Sequence, residues 1–103
     1  MHKKTTPETA PRVDAPFDGR IMFSNEKTEL ILLTLQPGES IPSHKNPFDV
    51  IFTGLEGEAT LGIGEESIAL QPCQTLFVSN EENRFMLNIS DTPVKVMVTK
   101  ILS

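Results

Sequence analysis

Beyond residue 16 the apolar residues come in short runs, and none recurs at helical spacing for as long as a dozen residues. Helix is therefore expected to be nearly absent. The runs predict strands over 20–23, 28–35, 48–55, 58–63, 67–70, 75–78, 84–89 and 94–102. Between them stand residues that turn the chain readily: Pro37-Gly38, Pro42, Pro47, Gly57, Gly64, Pro72-Cys73, Asn80, Asn83 and Pro93. Every proline after residue 16 falls in one of these connections, where a missing N–H removes no ladder bond.

Alternation assigns faces to two of the strands. In the last, Val94, Val96 and Val98 alternate with Lys95, Met97 and Thr99, which puts the valines on the more buried face. In the one before, Arg84, Met86 and Asn88 alternate with Phe85, Leu87 and Ile89, so an arginine and an asparagine share one side. The run Leu30 to Leu33 does not alternate, so both faces of its strand need cover, and one sheet supplies only one. That run predicts a homodimer. About eight short strands at this spacing describe an all-β sandwich or barrel.

The first sixteen residues contain Pro7, Pro11 and Pro16 among polar residues, with little apolar surface to offset the entropy of ordering them. They are expected to form a disordered or extended tail, leaving 17–103 as the single domain. His2 belongs to that tail and counts toward no site. A chain of 103 residues encloses one hydrophobic core rather than two. With 14 acidic against 9 basic residues the net charge is −5, and no basic cluster matches a run of phosphates, so nucleic acid is not an expected partner. No apolar stretch has the length of a signal core or a membrane span. The single cysteine, Cys73, forms no disulfide framework, and a cytoplasmic location is expected.

The segment PGESIPSHKNPFDVIFTGLEGEATLGIG, residues 37–64, resembles the first motif of the cupin family, written G-x5-H-x-H-x3,4-E-x6-G. Gly38 and Gly57 take the glycine positions, His44 the first histidine, Asn46 the second and Val50 that of the glutamate. The second motif, G-x5-P-x-G-x2-H-x3-N, lies without gaps on residues 71–88, with Cys73, Ser79, Glu81, Arg84 and Asn88 at its positions. Only Asn88 is the family residue there. The resemblance runs from about residue 28 to 102 and implies a cupin-type jelly roll.

Metal-binding cupins hold their ion with three histidines and a glutamate, and the resemblance places His44, Asn46, Val50 and Arg84 at those four positions. An amide is a weak ligand, valine has no donor, and a guanidinium is a positive charge without a lone pair. The resemblance therefore implies a depleted metal site, and no cofactor is expected. Any transition metal would have to use His44 with Asp49, which is next to the vacant glutamate position but points to the opposite face unless the strand slips or bulges.

His44 reads either as a solvated loop residue or, because the Gly38 spacing is kept, as a residue of the barrel mouth. Arg84 reads as a surface charge, as the partner of Asp49 in a salt bridge, or as a cavity residue whose planar fork matches a carboxylate or phosphate. Cys73 reads as a turn residue, since no nearby base would make it a thiolate. The first functional expectation is a small-molecule binding module with His44, Asn46, Arg84 and Asn88 as polar contacts and an organic anion as ligand. The alternative is a metal-dependent oxygenase or isomerase built on His44 with Asp49 or Asn46. A metal-free enzyme with His44 as general base, and a β domain with a filled interior, complete the set.

Overall fold

The computed structural model describes residues 1–103 apart from the side chain of His44. Nine strands lie among the described residues: β1 Asp18–Ser24, β2 Thr28–Leu35, β3 Ser40–His44, β4 Asp49–Glu56, β5 Ala59–Ile63, β6 Glu66–Leu70, β7 Thr75–Val78, β8 Arg84–Leu87 and β9 Val94–Ile101. All pairings are antiparallel, and no helix interrupts them. One sheet has the order β1-β2-β9-β4-β7, and the other β3-β8-β5-β6. Ile31, Leu33, Val50, Phe52 and Val98 of the first sheet pack with Ala59, Leu61, Leu70 and Met86 of the second in one core. The molecule is an all-β jelly roll, as the strand spacing predicts.

The structure adds β3, a stretch that the sequence pattern assigns to a connection because Pro42 lies within it. Its position explains how the proline is tolerated. β3 is the edge of its sheet, pairs only with β8, and shifts register between Ile41 and His44 around Pro42. A central strand would lose a ladder bond at such a residue; an irregular edge strand need not.

Alternation otherwise holds. Val94, Val96 and Val98 are buried, and so are Arg84, Met86 and Asn88. The set that carries the arginine and the asparagine is therefore the inward one. Ile31 and Leu33 join the core while Leu32, on the other face of β2, is also buried within the single chain. Its register partner Arg20 donates from Nη1 to the Pro7 carbonyl at 3.2 Å, which brings the N-terminal segment over this outer face. Leu32 thus has cover without a second copy, and the run at Leu30 to Leu33 alone does not require one.

The segment ahead of β1 is extended along that strand. Arg12 bridges Arg20, the Val13 N–H donates to the Gly19 carbonyl at 2.8 Å, and the Ile21 N–H donates to the Pro11 carbonyl at 2.8 Å. Val13 and Phe17 pack against the core.

Two turns share one design. At 36–39 the Glu39 N–H donates to the Gln36 carbonyl, with Pro37 second and Gly38 third at φ +84°. At 71–74 the Gln74 N–H donates to the Gln71 carbonyl, with Pro72 second and Cys73 third at φ +69°. The left-handed third position suits glycine, so Cys73 carries a steric penalty that Gly38 does not. The resemblance puts a family glycine at this position, and the backbone supplies the reason.

Candidate ligand cavity

The jelly roll holds a cavity of about 200 Å³ between its sheets. Its wall is mostly apolar and includes Phe17, Ile31, Leu33, Val50, Phe52 and Met86; among the described residues the polar side chains on it are Asn46, Arg84 and Lys100. A β domain with a filled interior does not describe this molecule. The three polar residues belong to one end of the roll, where β9 finishes and β4 and β8 begin.

Arg84 opens β8, and its inward direction follows from the alternation that also buries Met86. It is only 2% exposed. Both terminal nitrogens, Nη1 and Nη2, are buried with no hydrogen-bond partner among the described residues. Burial lowers the guanidinium pKa from its ordinary value, and the Asp49 carboxylate partly opposes that shift. An arginine remains a cation at neutral pH even so. A buried cation with two unpartnered nitrogens is costly, and an anion supplied from outside would relieve that cost.

Asp49 does not form an ion pair with Arg84 among the described residues. Its Oδ1 accepts the Asn80 N–H at 2.8 Å. The β4–β9 register is continuous from Asp49 through Val50, so no slip or bulge turns this carboxylate toward the cavity that Val50 lines. Lys100 is the cavity residue that sequence reasoning missed. The signal was present: Lys100 continues the inward series Val94, Val96, Val98 by two residues. Its Nζ lies 3.3 Å from Glu29 Oε1 and 5.4 Å from the Phe48 ring centre, so its charge is already engaged.

Of the residues chosen from sequence, Asn46 and Arg84 meet at the cavity. His44 stands opposite Arg84 in the β3–β8 register, while its side chain lies outside the described residues. Asn88 is elsewhere. It follows the end of β8, away from the cavity lining, and its amide is fully occupied: Nδ2 donates to the carbonyls of Leu35 at 3.0 Å and Thr92 at 2.8 Å. The Ser90 N–H and hydroxyl donate to its Oδ1 at 2.9 and 2.6 Å. Asn88 ties β2 to the β8–β9 turn, which accounts for its burial without a ligand.

The described residues at the family's metal positions do not fit a transition-metal ion. Val50 offers no donor, Asn46 only a neutral amide, and the Arg84 guanidinium would oppose a cation in the same space. Among the described residues no three His, Cys, Asp or Glu side chains come together as ligands.

The model of the family described as Cupin domain matches residues 31–100. No curated protein matches the chain. Among solved structures, a protein from Thermus thermophilus aligns with a TM-score of 0.83 at 24% identity, covering 98% of this chain and 97% of that one. A predicted oxalate decarboxylase from Thermotoga maritima aligns at 0.85 and 16% identity, covering 98% and 100%. An RmlC-like cupin from Shewanella frigidimarina aligns at 0.85 and 12% identity, covering 100% and 93%. At such identities the likeness concerns the fold alone. With the family match spanning most of the domain and the same jelly roll in these neighbours, the chain belongs to the cupin family.

Proposed function

We propose that this cupin is a small-molecule binding module whose cavity takes an organic anion, held by the Arg84 guanidinium. The observation that carries this reading is the pair of buried, unpartnered terminal nitrogens of Arg84 on the wall of the cavity. A carboxylate or phosphate matches that fork with two parallel hydrogen bonds. Asn46 is the neutral polar group beside it, and the apolar wall encloses the remainder of the ligand.

The test is thermal unfolding of the full chain with benzoate, malonate and inorganic phosphate at low ionic strength. A ligand present at a hundred times its Kd adds about 2.7 kcal/mol to stability. At least one of these anions is expected to raise Tm in the parent protein and not in Arg84→Met. If none stabilises the parent, or if Arg84→Met responds equally, the reading is wrong.

A further inference from the structure

Resting on that reading, we infer that the ligand is a small monocarboxylate with an apolar body, an aromatic or short aliphatic acid, rather than a phosphate, a dicarboxylate or a hydroxylated acid. The inference comes from counting what the cavity can satisfy. Arg84 contributes two unpartnered nitrogens, Nη1 and Nη2, side by side on one planar group with two N–H groups each. One carboxylate has two oxygens and uses both. Lys100 does not add a second unopposed charge, because Glu29 faces its ammonium at 3.3 Å. Among the described residues Asn46 is then the one uncharged polar side chain left on the lining, and the other described lining residues are apolar.

Beyond Arg84, Asn46 and Lys100 the described lining is apolar, so most further polar groups on a ligand would meet hydrocarbon. A second carboxylate, the additional oxygens of a phosphate, or a series of hydroxyls would lose water with few partners to gain, at roughly tenfold in affinity or more per unsatisfied group. An apolar body meets the opposite situation: Phe17, Phe52, Leu33 and Met86 provide the kind of wall that rewards hydrocarbon. Size is compatible with such a ligand: a cavity of about 200 Å³ has room for a benzoate or a hexanoate.

Charge and shape are separable here, so the experiment uses ligands that change one at a time. Isothermal titration of the full chain would compare benzoate and hexanoate with malonate, inorganic phosphate and benzyl alcohol, the last keeping the ring without the charge. The expected result is that benzoate or hexanoate binds at least tenfold more tightly than malonate, phosphate and benzyl alcohol. It should also lose that advantage in Arg84→Met. Malonate or phosphate binding as tightly as the apolar acids would overturn the ligand class while leaving the anion site standing. Benzyl alcohol equal to benzoate, or no binding by any of the anions, would overturn the anion site and this inference with it.

Discussion

Arg84 and Asn88 are the two buried polar side chains among the described residues, 2% and 1% exposed. They lie four residues apart on the same face of one stretch of chain, roughly 13 Å at the rise of a strand. Their situations are opposite. Asn88 sits beside Leu35 and Thr92, whose carbonyls take both of its donors, while Ser90 supplies two donors to its oxygen. Arg84 is at the end where β4, β8 and β9 leave a cavity, and its terminal nitrogens have no partner. Equal burial therefore goes with completed hydrogen bonds at one end of the roll and unpartnered nitrogens at the other. What separates them is whether the surrounding chain completes the hydrogen bonds.

The strongest challenge to this comparison is Asn88→Ala. It removes the side-chain donor to the Leu35 carbonyl, one of two side-chain donors to the Thr92 carbonyl and the acceptor for the Ser90 N–H, and should destabilise the protein by about 3 kcal/mol in chemical denaturation. A loss under about 1 kcal/mol would mean that Asn88 does not close the roll. Arg84→Met should move stability the other way, raising that of the ligand-free protein by about 2 kcal/mol, because it replaces an unpaired buried charge with an apolar chain of similar length. If it destabilises instead, Arg84 has protein partners and the contrast between the two ends disappears. The smallest effect belongs to a site apart from both residues. Cys73→Gly relieves the left-handed φ at the 71–74 turn and should add about 0.5–1 kcal/mol without changing ligand affinity. A change in benzoate affinity there would show that the cavity end is coupled to a distant turn.

How far the sequence reaches can be followed along β8 and β9. The period-two pattern identifies Arg84, Met86 and Asn88 as one side of a strand and the valines of β9 as buried, and the structure keeps both assignments. The same pattern, carried two residues further, finds Lys100 on the cavity. β3 is hidden because Pro42 argues against a strand unless the strand is known to be an edge, and edge position is a property of the sheet. Asn88 reads as a ligand contact in the sequence because the cupin resemblance marks that position. Its partner in the structure, the Leu35 carbonyl, is 53 residues away in sequence, and no local pattern announces such a contact.

The sequence by itself therefore determined eight of the nine strands, the inward faces of β8 and β9, and a cation at a position where the family's resemblance places a metal ligand. These follow from side-chain alternation and turn chemistry, which act over a few residues. The tertiary structure alone decided which inward polar group is completed by the protein and which is left with free donors. That depends on where carbonyls from β2 and the β8–β9 turn arrive relative to β8, and such meetings are set by sheet packing rather than by neighbours in the chain. The positive charge that the sequence placed on the interior became, through that packing, two unpartnered nitrogens on the wall of a mostly apolar cavity.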